Sequence, residues 1–142
     1  MAMDIDTKSL FATALALSPP WHVTAFLFDP KGGRLDIDVD YPPLSQFPCP
    51  KCGAICPVHD SKMQQWRHLN FFQYLTFLRA RQPRTKCGDH GVLTVPVPWA
   101  RPGADFTLLF EAMVVELACN GLTVAAISRI VGEHDTRLWR IL

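Results

Sequence analysis

Cys49-Pro50-Lys51-Cys52-Gly53 and Cys87-Gly88-Asp89-His90-Gly91 each set two metal-ligating side chains three positions apart, with glycine after the second. That spacing lets two side chains converge on one ion. The trailing glycine permits a tight turn in which backbone N–H groups point at the ligand atoms. Two such halves make a tetrahedral Cys3His set of Cys49, Cys52, Cys87 and His90. Its chemistry is that of structural Zn2+: four protein ligands fill the shell and leave no open position for hydrolysis. Cys56-Pro57-Val58-His59 repeats the spacing. It ranks behind because Pro57 removes a backbone donor and no glycine follows His59.

The second chemical signal is charge. Net charge is +1, but residues 41–101 hold two acids against eight bases, while 1–40 and 102–142 are both acidic. From Ser61 to Gly88 there is no acid, and Lys62, Arg67, Arg79, Arg81, Arg84 and Lys86 all fall there. A basic segment wrapped around a knuckle pair points to phosphate contact, with Arg79, Arg81, Arg84 and Lys86 as candidates. The aromatic run Phe71 to Phe77 reads first as core. His68 reads as a hydrogen-bonded structural histidine. Asp36, Asp38 and Asp40 alternate along one strand and read as a solvated strand face.

The third signal lies near residue 142. Thr123 to Val131 is a short amphipathic helix closed by Gly132, and Asp135 to Leu142 reads as a second one after a tight turn. This is the helix-turn-helix pattern, with Leu138 and Ile141 inward and Thr136, Arg137 and Arg140 facing a major groove; Arg129 adds a cation on the first helix. His134 stands at the capping position, where a small residue is the usual choice.

These residues need elements to position them. Asp6 to Leu17 reads as a helix stopped by Ser18-Pro19-Pro20. Trp21 to Phe28 and Arg34 to Tyr41 flank Lys31-Gly32-Gly33 and read as a β-hairpin. Tyr41 to Pro48 is a linker. Trp66 to Leu69, Phe71 to Arg81 and Gly91 to Val97 read as strands, and Pro102-Gly103 as a boundary. Phe106 to Cys119 is a helix with a wide apolar stripe that would bury Cys119. The expected class is α+β: a small β-rich zinc-ribbon-like domain followed by an all-α helix-turn-helix. The expected segments are an N-terminal helix over 1–20, hairpin plus zinc-binding domain over 21–101, and a helix-turn-helix over 102–142.

Composition excludes several classes. Apolar residues make up 49% of the chain, enough for a packed core. No apolar run approaches the roughly 20 residues of a membrane span. The acidic start, with Asp4 and Asp6, has the wrong charge for a secretory signal, so the expected compartment is the cytoplasm, where five cysteines read as ligands and free thiols. There is no P-loop, no Gly-x-Ser-x-Gly and no carboxylate set for two-metal phosphoryl chemistry; the chain is not expected to be an enzyme.

The order of motifs resembles a known family. Cys-Pro-x-Cys-Gly is followed by Trp66-Arg67-His68-Leu69, the aromatic strand, Arg84-Thr85-Lys86-Cys87, His90-Gly91-Val92, Val97-Pro98-Trp99-Ala100 and Asp135-Thr136-Arg137-Leu138-Trp139-Arg140. Over roughly Trp21 to Leu142 this is similar to the N-terminal half of insertion-sequence transposases of the ISL-three family. The resemblance implies a zinc-binding domain and a helix-turn-helix that recognise double-stranded DNA at the element's terminal inverted repeats. In that family an RNase-H-like domain, absent from these 142 residues, does the strand chemistry. A zinc-stapled interaction domain that forms a homo-oligomer, and a stand-alone zinc-ribbon regulator of transcription, are the alternatives.

Overall fold

The computed structural model describes residues 6–142. The first five residues of the expected N-terminal segment lie outside that range. The chain is a mixed α/β structure: a six-stranded sheet with helices against it.

Helix α1 spans Thr7–Ala14, and Asp6 Oδ1 caps it by accepting from the Ser9 N–H at 2.7 Å. Strands β1 (His22–Asp29) and β2 (Arg34–Asp40) form the expected hairpin. Strand β3 (Gln46–Pro48) pairs with the start of β4 (Ile55–Phe71), which pairs antiparallel with β5 (Tyr74–Cys87). Strand β6 (Gly91–Thr94) folds back on the end of β5. Residues 108–138 then carry helices α2 (Leu108–Cys119), α3 (Val124–Val131) and α4 (Asp135–Leu138).

The ribbon is not a small separate unit. Strand β2 docks in parallel on β5, with Ile37 opposite Leu78 and Val39 opposite Ala80, so the sheet order is β1-β2-β5-β4-β3 with β6 on the far end of β5. The cause is apolar alternation on both strands. Leu35, Ile37 and Val39 of β2 and Leu78 and Ala80 of β5 point to one face and are buried together. That core continues through Trp21, Tyr41, Phe47, Trp66 and Trp99, whose rings meet edge to face. The Phe71 and Tyr74 rings pack against Phe11 and Phe28 and are half-buried. Phe72, at the hairpin tip, is exposed.

The opposite face corrects the reading of the acidic strand. Asp36, Asp38 and Asp40 do not face only solvent. Arg34 bonds Asp36 at 2.9 Å, Arg79 Nε donates to Asp38 at 2.8 Å, and Arg81 reaches Asp40 at 2.9 Å. Strand β4 is also much longer than the Trp66–Leu69 segment. Its residues 55–65 lack apolar alternation because that stretch lies at the sheet's border, paired mostly on one side.

The helices match their caps. Thr107 caps α2 by accepting from Phe110 N–H, and Thr123 caps α3 by accepting from Ala126 N–H at 3.1 Å. Gly132 ends α3 at a φ of 76°. A second core, Phe106, Phe110, Val114, Ile127, Val131 and Leu138, holds the three helices together. Two expectations fail. Cys119 is exposed, because α2 buries only its Phe110, Glu111 and Val114 side. Helix α4 is regular only to Leu138; beyond it, Arg140 and Ile141 bond three residues back, the tighter winding of a helix end.

Candidate functional site

The metal-ligand cluster sits where two hairpin turns meet. The first turn joins β3 to β4, closed by Cys49 N–H to Ala54 O at 2.8 Å and Gly53 N–H to Cys49 O at 2.9 Å. Gly53 takes a φ of 75°, which the turn requires and side-chained residues rarely adopt. The second turn joins β5 to β6, with Cys87 opposite Gly91. Strand pairing along β4 and β5 thus brings Cys49, Cys52, Cys87 and His90 together, with ligand atoms all within 4.8 Å of one another.

The spacing tests whether an ion fits. Cys52 Sγ lies 3.7 Å from Cys87 Sγ, and His90 Nδ1 lies 3.8 Å from Cys49 Sγ and 3.6 Å from Cys87 Sγ. A tetrahedral ion about 2.3 Å from each sulfur would set those sulfurs roughly 3.8 Å apart. The donor set therefore fits a tetrahedral ion of zinc's size. Backbone N–H groups of Cys52 and Lys51 aim at Cys49 Sγ and hold its thiol below the usual range, favouring the thiolate that a metal needs. Cys56 is buried beside Cys49 and Cys87 but points its thiol at Ala54 O, and His59 is exposed. Burial pushes the Cys56 thiol up. Cys56 thus lines the cluster as packing.

A second constellation joins the sheet to the helices, and its residues carry no recognisable binding spacing. Arg67 is buried in β4. Its guanidinium donates to Asn70 Oδ1 at 2.6 Å, to Val131 O at the end of α3 at 2.6 Å, and to His68 O. Glu133, in the turn before α4, approaches it at 3.5 Å. Phe77 and Phe110 cover its faces. Burial lowers its pKa to about 10, which leaves it charged at neutral pH. The Arg67 backbone also bonds Asp105 O and the Thr107 N–H, each at 2.9 Å. Next to it, His68 Nδ1 meets Thr107 Oγ1 at 2.8 Å, on the residue that caps α2. The Trp66-Arg67-His68 run is therefore a joint, and no spacing in the sequence marks it.

The candidate DNA-contacting residues divide into two groups. Arg79, Arg81 and Arg84 lie on the exposed face of β5 but are engaged by Asp38, Asp40 and Asp60; Arg84 Nε meets Asp60 at 2.6 Å. Arg137 also turns inward, bonding Glu133 at 2.6 Å and lying over the Phe106 ring. Lys86 and Arg129 are exposed and have no acid within ion-pair distance among the described residues. Thr136 is exposed, and Arg140 reaches Asp105 only at 3.4 Å. His134 corrects the capping expectation. Its Nδ1 accepts from the Thr136 N–H at 3.3 Å, so the imidazole does the work of the smaller residue.

Comparison with known proteins gives the same two regions a common origin. Residues 45–90 match the zinc-finger of transposase IS204/IS1001/IS1096/IS1165, and residues 95–142 match the helix-turn-helix domain of transposase family ISL3. The chain belongs to the ISL3 transposase family. Transposases for insertion sequence element IS1557 from two Mycobacterium tuberculosis strains, CDC 1551 / Oshkosh and ATCC 25618 / H37Rv, are each 36% identical to it over 99 residues. The match covers 64% of the ISL3 chain but 22% of each relative. No solved structure matches. Among the described residues no helix is long and apolar enough to cross a membrane. The ISL3 chain thus carries a zinc-ribbon domain and a helix-turn-helix domain of the kinds found in these transposases.

The His68 environment has a measurable consequence. Burial, reinforced by the Arg67 charge, lowers its pKa from 6.5 to about 4. Between those values the unfolded chain binds the extra proton and the folded chain does not, so stability falls as pH drops through that window. Urea unfolding at pH 6.5 and pH 4.5 should show wild type losing about 2 kcal/mol more than His68→Gln, which keeps a polar partner for Thr107 but does not titrate. Equal losses in the two proteins would show that His68 is not held neutral.

Proposed function

We propose that this chain recognises the terminal inverted repeats of an insertion element in double-stranded DNA, and has no strand-cleaving chemistry of its own. The observation that carries the reading is the union of a helix-turn-helix match with a Cys3His cluster on one sheet. In this reading residues 1–20 are an N-terminal helical segment, 21–101 a zinc-stapled β platform, and 102–142 an all-α reading segment. Thr136 of α4 and Arg140 in the turn after it face the major groove, and Arg129 and Lys86 contact phosphates. Arg79, Arg81, Arg84 and Arg137 contact DNA only by exchanging a carboxylate for a phosphate. The proposed setting is the cytoplasm.

Cys49, Cys52, Cys87 and His90 would hold one structural Zn2+, which supplies cross-linking of the two turns and no catalysis. The chain's own residues pre-form the site: the strand pairs fix where the turns lie, and the N–H groups around Cys49 favour its thiolate. Metal analysis should give one zinc per chain, lost in Cys87→Ser and kept in Cys56→Ser; the reverse pattern would reassign the ligands to the Cys56 pair. Affinity for a duplex bearing the element's inverted repeat should fall steeply with salt, about 10- to 100-fold between 50 and 200 mM for a few phosphate contacts. Salt-insensitive binding, or equal affinity for scrambled duplex, would refute the reading.

A second reading rests on α2, which exposes Leu108, Leu109, Met113 and Val115 along its outer side. A helix apolar nearly all round is normally covered. Pairing of two copies through this helix would give a concentration-dependent dimer in light scattering without DNA, broken by Leu109→Glu; a monomer at high concentration would end that reading.

A further inference from the structure

The tip of the β4–β5 hairpin is built against local preference. Phe71 pairs with Tyr74, so Phe72 and Gln73 alone make the turn. In the favoured two-residue turns the first position takes a positive φ, which glycine or asparagine adopts with least strain. Here a phenylalanine holds it, at a φ of 54°. Among the described residues the other non-glycines with positive φ are Ala16 and Leu44. Burial does not offset the strain, because Phe72 is 81% exposed. Left-handed strain at a bulky residue gathers at sites that grip a ligand.

The exposed ring is braced. Phe71, packed against Phe11 and Phe28, meets it edge to face with centroids 4.9 Å apart at 82°. Buried Thr76 ties the turn from below: its hydroxyl accepts from the Phe71 N–H at 3.1 Å and donates to Tyr74 O at 3.1 Å. The tip is also fixed to the helix-turn-helix. Asn70 Nδ2 donates to Val131 O at 3.3 Å, the same oxygen that Arg67 bonds at 2.6 Å. Phe72 and Ile130 of α3 line one open apolar cavity of about 380 Å3, and no charged residue lines it. Arg129, the residue before Ile130, is exposed and has no acid within ion-pair distance among the described residues. The acids of the following turn are engaged, Glu133 by Arg67 and Arg137 and Asp135 by His134. A rigid, exposed aromatic ring thus stands against the last turn of α3, which also carries an open cation.

We propose that Phe72 is a wedge: it inserts between two stacked base pairs of duplex DNA beside the site that the helix-turn-helix reads, while Arg129 holds a flanking phosphate. This rests on the reading that the chain binds duplex DNA. Base pairs present apolar faces, and an apolar side chain on a rigid support can unstack a step and kink the duplex. Stacking of the ring on a base offsets part of the unstacking cost. The wedge favours steps that open easily, a pyrimidine followed by a purine, so Phe72 reads deformability and not base edges. Leu44 is strained in the same way, at a φ of 67°, and is also exposed. It lines a cavity with Pro57 and Asp60 and with no helix residue, so it serves as the control.

The test uses the zinc-loaded chain on a duplex bearing the element's inverted repeat, with 2-aminopurine placed at one adenine at a time to brighten where bases unstack. Wild type should brighten one step and bend the duplex, read by energy transfer between end labels. Phe72→Gly, which suits the left-handed turn, should unfold at the wild-type urea concentration or above it. It should nevertheless bind about 10-fold more weakly, brighten no step and leave the duplex straight. Phe72→Asn, also tolerant of positive φ, gives the same readout and decides the matter if the glycine variant does not fold. Phe72→Trp, which keeps a flat ring, should keep the affinity, the bright step and the bend. A mismatch at the bright step removes much of the unstacking cost, so it should tighten wild type about 10-fold and leave Phe72→Gly unchanged. Leu44→Gly should match wild type on every duplex. No bright step in wild type, or a bright step and bend that survive in Phe72→Gly, overturns the proposal. Equal weakening of Phe72→Gly on matched and mismatched duplex, with the bright step kept, would mark a merely structural role and also overturns it. A wild-type dimer in light scattering that Phe72→Gly makes monomeric, with the bright step kept, would give the ring to a second copy and overturn it too. Absence of salt-dependent binding in wild type and variants alike would instead fail the DNA-binding reading itself, and the wedge with it.

Discussion

A buried guanidinium is the constraint on which the two halves of this chain depend. Arg67 is buried in β4 with the Phe77 and Phe110 rings over its faces, and a charge out of water costs several kcal/mol unless it is paired and hydrogen-bonded. Its hydrogen bonds go to His68 O and Asn70 within the hairpin and to Val131 O at the end of α3, while Glu133, in the turn before α4, brings the opposite charge to 3.5 Å from Nε. No single element can satisfy it. The sheet and the helices must therefore meet at one orientation, and Glu133, with Arg137 on its other side, carries that orientation on to the start of α4. Neighbouring His68 does the same for α2 through the hydroxyl of Thr107, the group that caps that helix.

The sheet imposes a second constraint, on charge. Parallel docking of β2 on β5 is driven by apolar residues on one face, yet it lays Asp38 and Asp40 beside Arg79 and Arg81 on the other. Segment charge suggested a continuous basic face. Pairing across strands converts most of it into a neutral ladder and leaves Lys51, Lys62 and Lys86 without an acid partner among the described residues. The same burial that makes the core thus redistributes the electrostatics available to a polyanion.

Much of the local structure was legible. The knuckles, the hairpin around Gly32-Gly33 and the stop at Gly132 all depend on residues within a few positions of one another, and each appears where expected. The length of β4 was not legible, because residues 55–65 lie at the border of the sheet, where one side needs no apolar face. Cys119 was misread as buried because an apolar helix does not state which side is covered. The shortened α4 and the capping role of His134 depend on how the last turns wind and how one imidazole is aimed, which propensity does not encode.

The sequence by itself marked the Cys3His residues and the helix-turn-helix pattern, since both are written in short spacings that local geometry reads directly. Only the tertiary structure decided that the ribbon and the first hairpin share one sheet, that Arg79, Arg81, Arg84 and Arg137 are already partnered, and that Arg67 is the joint. The reason is physical. A metal knuckle closes over four residues, whereas the partner of a charge is chosen by whichever strand or helix burial brings beside it, and that choice spans the whole chain.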